Sequence, residues 1–177
     1  MTTPAPAATT WHTTMASALG ALTLVRDADG PRGLYFPHHW YMPNPATFGR
    51  VSDDGFAEAV TQVGQYLAGT RREFDLPLAP DGDDFQRRVW QHVQQIPYGQ
   101  TLTYGELATQ VGDSATAQQI GAAVGRNPLC IRIPCHRVVG RGGKLTGYAG
   151  GIARKRHLLE LEREQVAVDG RTRCSTS

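Results

Sequence analysis

Cys135 and His136 are adjacent in the sequence, and this pair is well suited to nucleophilic chemistry. A thiol has an ordinary pKa of about 8.5, so at neutral pH it needs a base or a positive neighbour to act as a nucleophile. His136 can serve as either. Two other interpretations stay open at this point: a buried thiol beside a core histidine, and a zinc site, for which Cys130, Cys135 and His136 offer only three ligands.

A histidine base usually needs a third group that fixes its tautomer, and Glu162 is the candidate. Glu162 follows Leu158 by four residues and Leu159 by three, so its carboxylate lies on the apolar face of a helix predicted over about Ile152 to Glu164. An acid on such a face is costly unless it is paired. The spacing favours a relay in which Glu162 orients His136, with a simple salt bridge to a cation as the alternative. The candidate cations are Arg137 and Lys155.

Two short helices before this pair form a candidate helix-turn-helix. Thr103 and Glu106 have the spacing of a capping box, which predicts a helix from there to about Val111. Residues 112–114 then turn the chain, and a further helix is expected over about Ala115 to Gly125. The apolar positions expected on its buried face are Ala117, Ile120 and Val124. Helix pairs with a tight glycine-containing turn are typical of DNA-binding proteins, although they also occur elsewhere.

The regions on either side of the helix pair have patterns of their own. A helix is predicted to begin at Asp84, because apolar residues recur on one face. Residues 129–133 are strand-like and lead to the Cys-His pair, and a loop with six glycines between Gly140 and Gly151 follows it. From Asp169 we expect a disordered tail that includes Cys174.

The first 84 residues predict a small α/β unit. Residues 22–25 and 34–36 are short apolar runs around Asp29-Gly30, a turn signal, which favours a β-hairpin. Apolar residues then recur at helical spacing from Phe56 to Leu67, and a glycine ends that helix. Residues 76–84 are rich in Pro and Asp, which indicates an exposed linker to the second half.

Charge is distributed unevenly along the 177 residues. Residues 1–84 carry 5 Lys/Arg and 10 Asp/Glu, a net charge of −5, whereas residues 85–177 carry 13 and 6, a net charge of +7. A basic half suggests a polyanion as partner. Hydrophobic residues make up 40% of the chain, an ordinary share, and no apolar run reaches the ~18 residues of a membrane-spanning helix.

The cysteines and the first ten residues indicate in which cellular compartment the protein is found. The three cysteines form no Cys-x-x-Cys pair, which indicates free thiols in a reducing environment. Residues 1–10 contain no Lys or Arg and no apolar stretch, so they do not resemble a signal peptide. We therefore expect the protein to be cytoplasmic.

The motif around Cys135 resembles the active-site signature of the O6-alkylguanine-DNA alkyltransferases. Pro134-Cys135-His136-Arg137-Val138 is preceded by Gly125-Arg126-Asn127-Pro128 and followed by a Gly-Tyr-x-Gly-Gly loop at Gly147 to Gly151, in the order and spacing of that family. The resemblance is close from about Phe85 to Glu162. Residues 1–84 are compatible with the family's variable, ribonuclease-H-like first domain.

The resemblance implies catalytic roles for five residues. Cys135 would accept the alkyl group, His136 would deprotonate it through a bridging water, and Glu162 would orient His136. Asn127 would brace the turn between the recognition helix and the Cys135 strand. Tyr104 would help to swing the nucleotide out of the duplex and would donate a proton toward guanine N3.

The resemblance also implies a binding site around the thiol. Tyr148 and Ala149 would line the alkyl side of the pocket, together with Tyr104. The backbone carbonyl of Val138 would accept from the guanine exocyclic amine, and Lys155 would steady the glycine-rich loop. The residues expected to contact DNA are Thr116, Ala117, Gln118, Gly121 and Arg126.

Two positions depart from the family's pattern. Gln118 stands where the family usually has an arginine that enters the base stack in place of the flipped base. A shorter, neutral amide fills that gap less well, which puts duplex affinity or flipping efficiency in question. Ala149 stands at a loop position often held by serine, which removes a hydroxyl but keeps the backbone N–H that could bind O6.

Together these features predict an α+β protein with two domains. Residues 1–84 would form a small ribonuclease-H-like α/β domain, residues 85–168 a helical, winged-helix-like DNA-binding domain, and residues 169–177 a disordered tail. The expected function is repair of double-stranded DNA by stoichiometric, irreversible transfer of an alkyl group from flipped-out O6-alkylguanine to Cys135. We expect a monomer that needs no cofactor or metal and has no membrane partner.

Two other functions remain as alternatives. One is a lesion-binding protein of the alkyltransferase-like kind, which flags damage without repairing it; such proteins lack the acceptor cysteine, so Cys135 argues against it. The other is a cysteine hydrolase of a small amide or ester, which would use the same Cys-His-Glu chemistry with repeated turnover.

Overall fold

A four-stranded sheet forms the first part of the protein. The computed structural model describes residues 9–78, 80–112 and 114–174, apart from the side chains of 172–174. The strands of the sheet, in chain order, are β1 (Trp11–Met15), β2 (Leu22–Arg26), β3 (Pro31–Tyr35) and β4 (Arg50–Val51). Their spatial order is β3-β2-β1-β4, with β4 parallel to β1 and the other pairs antiparallel. One helix, α1 (Ala57–Leu67), follows the sheet.

The predicted hairpin is confirmed as the β2–β3 pair. Asp27 organises its turn, because its Oδ1 accepts from the backbone N–H groups of Asp29 and Gly30 at 2.8 and 3.1 Å. Gly30 has φ 136°, a conformation that side chains disfavour. The predicted helix that begins near Phe56 is confirmed as α1.

Four helices and a small sheet form the second part. They are α2 (Asp84–Gln94), α3 (Tyr104–Val111), α4 (Ala117–Gly125) and α5 (Ile152–Cys174), with the parallel strands β5 (Leu102–Thr103) and β6 (Val138–Val139). The predicted capping box is present at the start of α3, where Thr103 and Glu106 satisfy each other's backbone N–H groups. The same arrangement begins α2, with Asp83 and Gln86, and α4 begins with a third. The predicted α+β class is confirmed.

The helix pair α3–α4 agrees with the prediction except for the exposure of one residue of α4. Ile120 and Val124 are buried as expected, and Ala123 joins them. Ala117, predicted to be on the buried face, is exposed. It is the first residue of α4.

The prediction of a strand at residues 129–133 is wrong. Leu129 makes a single bridge to Leu34, and the chain then turns, with Ile131 in the left-handed region at φ 69°. The Ile133 N–H donates to the Leu129 carbonyl at 2.8 Å, which closes the turn. Cys135 consequently lies at the start of a short 3-10 helix, Cys135–Arg137, and not on a strand.

The last helix is longer than predicted. It continues to Cys174, so the expectation of disorder from Asp169 is wrong as far as that residue; residues 175–177 lie outside the described residues. Arg72 contacts the first part of this extension. Its guanidinium donates to the Gln165 carbonyl at 3.2 Å and to the Asp169 carboxylate at 2.6 Å, which fixes this part of α5 to the loop after α1.

One apolar core joins the two parts of the chain. Leu22 and Phe36 from the sheet, Tyr66 from α1, and Trp90 and Leu158 from the helices belong to the same buried cluster. The division into domains at residues 84 and 85 stays a prediction. None of the helices in the described residues is long and apolar enough to cross a membrane.

Candidate active site

Cys135 lies on the wall of a cavity of about 260 Å³ where the helix pair, the glycine-rich loop and the loop after β3 meet. The residues that line the cavity are Trp40, Tyr104, Gly121, Val124, Gly125, Cys135, Thr146, Gly147, Tyr148 and Ala149. Tyr104, Tyr148 and Ala149, which the resemblance assigns to the binding site, are among them, and their roles stay predictions. Ligand pockets of drug-like molecules are usually about 300–1,000 Å³, so this cavity suits a small group such as a single base.

The surroundings of the Cys135 sulfur favour its anionic form. The pKa of the thiol lies below its ordinary value, first because the Cys130 side chain hydrogen-bonds to it and next because Asn127 does, with Lys155 adding positive charge; burial acts in the opposite direction. The Asn127 Nδ2–Sγ distance is 3.1 Å. A larger thiolate fraction makes Cys135 a better nucleophile at neutral pH.

Asn127 braces the turn that carries Cys135. Its Nδ2 also donates to the Ile133 carbonyl at 2.9 Å, and its Oδ1 accepts from the Leu129 N–H at 2.9 Å. The side chain is buried, so these three bonds hold both ends of the turn against the end of α4. The arrangement agrees with the role that the resemblance implies for Asn127.

His136 and Glu162 are both fully buried and hydrogen-bonded to each other. The His136 Nε2–Glu162 Oε1 distance is 2.7 Å, which assigns the proton to Nε2 and leaves Nδ1 with its lone pair. His136 Nδ1 makes no hydrogen bond with any described residue. Burial lowers the pKa of His136, against the opposing effect of Glu162, so the imidazole is neutral at pH 7 and able to accept a proton.

Glu162 is held by four donors besides His136. Arg137 donates through Nε and Nη2 at 2.9–3.1 Å, the Gly99 N–H donates at 2.8 Å, and the Tyr66 hydroxyl donates to Oε1. Burial alone would raise the pKa of Glu162, but the bonds from His136 and Arg137 outweigh it and hold the pKa at about 2. Glu162 thus contacts both His136 and Arg137, and its role in orienting His136 stays a prediction.

Lys155 and Val138 form a second buried group behind the cavity. Lys155 Nζ donates to the carbonyl oxygens of Val138, Thr146 and Gly147 at 2.6, 3.0 and 3.2 Å. Burial lowers the pKa of Lys155 to about 8. These bonds tie β6 to the glycine-rich loop, as expected of Lys155. The Val138 carbonyl already accepts one hydrogen bond, so its expected bond to a guanine amine would use the second lone pair and stays a prediction.

Tyr104 faces the cavity from the first turn of α3. Its hydroxyl lies 3.4 Å from the Gly147 carbonyl. Burial and the neighbouring Cys135 raise its pKa to about 12, so the phenol remains protonated and can donate.

The residues expected to contact DNA lie along α4. Thr116, Ala117 and Gln118 are exposed at its N-terminal end, Gly121 lines the cavity, and Arg126 is exposed at its C-terminal end. The Arg126 guanidinium lies over the Tyr41 ring at 4.7 Å from its centroid, a cation–π contact that limits the conformations of this arginine. Thr116 caps α4 through its side chain, which accepts from Gln119 N at 3.2 Å.

Sequence reasoning missed three residues of the site. Tyr66 comes from α1 and reaches Glu162, Trp40 from the loop after β3 lines the cavity, and Cys130 hydrogen-bonds to Cys135. The first two are contributed by a distant part of the chain, and no local pattern marks them. Cys130 was recognisable as a nearby thiol, but the predicted strand would have kept it apart from Cys135.

The zinc interpretation finds no support in the described part of the chain, where no group of three or more His, Cys, Asp or Glu side chains could hold a metal ion.

Two family models of known proteins together match most of the chain. The family model described as "6-O-methylguanine DNA methyltransferase, DNA binding domain" matches residues 84–164, and the model of the ribonuclease-like domain of the same family matches residues 11–80. Residues 84–164 are thus a DNA-binding domain.

Curated relatives and a solved structure give the same result. The chain is 44% identical over 158 residues to a methylated-DNA–protein-cysteine methyltransferase of Mycobacterium bovis, covering 89% of this chain and 95% of the relative. It is 38% identical to the inducible enzyme of that name from Bacillus subtilis, covering 86% and 85%. A crystal structure of Mycobacterium tuberculosis OGT in complex with DNA superposes with a TM-score of 0.82 at 43% identity, covering 88% of this chain and 94% of that one. The chain belongs to the 6-O-methylguanine DNA methyltransferase family.

Proposed function

We propose that this protein repairs DNA by moving an alkyl group from the O6 position of guanine to its own Cys135. The observation that carries the proposal is a thiol of lowered pKa on the wall of a cavity beside a neutral imidazole fixed by a buried carboxylate. The relatives named as methylated-DNA–protein-cysteine methyltransferases support it.

The first step is loss of the Cys135 proton. His136 Nδ1 is the acceptor, and a water between Nδ1 and the sulfur would carry the proton, as the family resemblance implies. Glu162 stabilises the imidazolium that results and keeps the ring in place, while Asn127 donates to the thiolate.

The second step is attack of the thiolate on the alkyl carbon. An S–C bond forms as the C–O6 bond breaks, and the bonding electron pair leaves with the guanine. The base can depart only if that charge is neutralised. The protonated phenol of Tyr104 is suited to donate toward guanine N3, and the Ala149 N–H toward O6.

The product is a thioether, and none of the described side chains at the site is of a kind that hydrolyses an S–C bond. One protein molecule therefore repairs one lesion. The transfer involves no change of oxidation state. Cys135 supplies the nucleophile, His136 with Glu162 supplies the base, and Tyr104 supplies the acid.

A base inside a duplex cannot reach the cavity, so the nucleotide must be flipped out, at a cost of a few kcal/mol of stacking and pairing. The proposed contacts are Thr116, Ala117, Gln118, Gly121 and Arg126 on α4, which would lie along the DNA while the base enters between Tyr104 and Tyr148. We propose that a monomer does this, since one chain supplies every residue named here. The cytoplasmic location stays a prediction.

Turnover separates this function from that of a cysteine hydrolase. A fixed amount of protein is mixed with increasing amounts of a duplex oligonucleotide that carries O6-methylguanine, and the repaired guanine is counted. We expect repair to stop at one equivalent. Continued repair beyond one equivalent, or full repair by Cys135→Ser, would contradict the proposal. Binding of the lesion without any repair would favour a lesion-binding protein of the alkyltransferase-like kind.

A further inference from the structure

A second thiol lies directly beside Cys135. Cys130 is fully buried, and it lies close enough to Cys135 for each thiol to shift the pKa of the other. Both are free thiols. An imidazole lies close to Cys130, because His39 Nδ1 is 3.6 Å from its sulfur. In the proposed alkyl transfer Cys130 does no more than lower the pKa of Cys135, and His39 has no role.

The backbone between the two cysteines brings them together. On an extended strand, residues five positions apart would be about 16 Å from each other and on opposite faces. The turn at Ile131, with φ 69°, reverses the chain instead. The Cys135 N–H then donates to the Ile133 carbonyl at 2.7 Å and the Ile133 N–H to the Leu129 carbonyl at 2.8 Å, which fixes the reversal.

The two sulfurs differ in access and in charge. Cys135 lines the cavity, so a small molecule that enters meets this sulfur. Its pKa is lowered by the hydrogen bond from Cys130. The pKa of Cys130 is raised, first by that same bond and next by burial, so it remains a thiol. Thiols that react with peroxides are of the first kind, and they are often paired with a second thiol that resolves the product.

We propose that Cys130 is a resolving thiol for Cys135, so that peroxide converts the pair into a reversible disulfide. The Cys135 thiolate attacks one oxygen of hydrogen peroxide, the O–O bond breaks, and with one proton the products are a sulfenic acid and water. The Cys130 sulfur then attacks the Cys135 sulfur, an S–S bond forms, and hydroxide leaves with the Cys130 proton as a second water. In total, two thiols lose two electrons to one peroxide.

His39 lies beside the Cys130 thiol, with its Nδ1 at 3.6 Å from the sulfur. Burial lowers its pKa to about 4, so the ring is neutral, and its Nδ1 faces the sulfur. The segment that carries it is fixed beside the cavity, because the Trp40 N–H donates to the Ala149 carbonyl at 3.1 Å.

The disulfide would preserve the acceptor. Without a resolving thiol, sulfenic acid proceeds to sulfinic and sulfonic acids, which are in general irreversible, whereas a disulfide is returned to thiols by exchange with a dithiol. A protein that can use its cysteine only once would lose its whole function to one irreversible oxidation. This consequence rests on the proposed function, but formation of the disulfide does not.

Peptide mapping tests the proposal without DNA. The starting protein is Cys174→Ser, which removes the third thiol. It is treated with hydrogen peroxide, blocked with N-ethylmaleimide, unfolded and cut with trypsin, which cleaves between the two cysteines at Arg132 and separates residues 127–132 from residues 133–137. We expect these two peptides to remain joined by a disulfide, with the intact protein lighter by two hydrogen atoms. Dithiothreitol should separate them.

The matched variants are Cys130→Ser and Cys130→Ala in the same background, each checked by thermal melting, so that one can replace the other if it fails to fold. In these we expect peptide 133–137 to gain two or three oxygen atoms and dithiothreitol not to restore it. The proposal is overturned if the starting protein forms no linked peptide, or if its Cys135 gains oxygen as fast as in the Cys130 variants. If the protein forms the linked peptide but repairs no DNA, the proposed function is contradicted and the disulfide proposal is not.

Discussion

Glu162 is the side chain on which the orientation of His136 depends. Its Oε1 accepts from His136 Nε2 at 2.7 Å, and Arg137 and Gly99 hold the carboxylate in place. Such a carboxylate selects the tautomer of the imidazole and stabilises the imidazolium that forms on proton transfer. Its removal should therefore affect the rate of alkyl transfer far more than the binding of DNA.

We predict that Glu162→Gln slows alkyl transfer by about 100-fold or more, by analogy with other carboxylates that orient a histidine. The measurement is the single-turnover rate together with DNA affinity. Glu164→Gln is the matched control, since Glu164 is exposed on the same helix and should change neither quantity. Breaking a buried pair can also cost about 3–5 kcal/mol of stability, so a thermal melt must accompany the rates. A parallel loss of affinity and rate would mean that Glu162 is only structural.

The lowered pKa of Glu162 also predicts how stability depends on pH. The pKa is about 2 in the folded protein against an ordinary value of 4.5. A carboxylate whose pKa is depressed by folding adds stability that is complete above its ordinary pKa and is lost as the pH falls through the folded value. The unfolding free energy should thus fall from about pH 4.5 to about pH 2.

Glu162→Gln isolates this contribution. Urea unfolding of the wild-type protein and of the variant, measured at several pH values, gives the difference between their unfolding free energies. We expect the difference to be largest near neutral pH and to shrink below pH 4.5. A difference that is constant across this range would show that the carboxylate has an ordinary pKa.

At the scale of an element, α4 begins with a capping box and carries Gln118, the residue that departs from the family's pattern, beside it. Thr116 and Gln119 form a capping box, and Gln118 is exposed in the first turn beside them. When a base leaves the stack, a side chain that fills the space recovers part of the cost. An arginine stacks on bases and meets the negative potential inside the duplex, whereas glutamine is shorter and neutral.

We predict that Gln118→Arg speeds repair of duplex DNA and hardly changes the rate on single strands or on free O6-benzylguanine, where no gap must be filled. Single-turnover rates are compared on matched oligonucleotides at one salt concentration, because added charge alone strengthens binding to both forms. Gln110→Arg, at an exposed position of α3, supplies the same charge elsewhere. Equal gains on both substrates would indicate a general electrostatic effect and would place Gln118 outside the stack.

The elements also show which features a sequence can predict. The capping box of Thr103 and Glu106 could be predicted because a cap depends on residues three positions apart. Glu162 could be predicted as part of the site because an acid on an apolar helix face needs a partner. The turn at Ile131 could not be predicted, since a β-branched residue rarely adopts positive φ and the local pattern favours a strand. Distant contacts decide it: Leu34 bonds through its N–H to the Pro128 carbonyl and through its carbonyl to the Cys130 N–H. Along the extension of α5, Asp169 likewise has a distant partner in Arg72.

At the scale of the whole molecule, the first part of the chain, which contains the four-stranded sheet, contributes side chains to the candidate active site in the helical second part. The Tyr66 hydroxyl, from α1, donates to Glu162 and lies 3.2 Å from His136 Nε2. Trp40 lines the cavity from the same part of the chain. We therefore expect the DNA-binding domain to depend on its neighbour for the geometry of the site as well as for stability.

Tyr66→Phe tests this dependence, because it removes one hydroxyl and keeps the ring. A hydrogen bond to a charged group contributes about 1.5–3 kcal/mol, so we predict a loss of unfolding free energy in that range together with slower alkyl transfer. The matched control is Tyr98→Phe, since the Tyr98 ring packs on Tyr66 while its buried hydroxyl has no hydrogen-bond partner among the described residues. Similar rates and stabilities for the two variants would argue against a role for Tyr66.

The position of the transferred methyl group tests the whole account most directly. The protein is incubated with a duplex oligonucleotide that carries O6-methylguanine, its intact mass is measured, and a tryptic digest locates the added mass. The account predicts one methyl group per protein, on the peptide of residues 133–137 that contains Cys135, and none on the peptide of residues 127–132 that contains Cys130. A methyl group on any other peptide, or repaired DNA beside an unmodified protein, would contradict it.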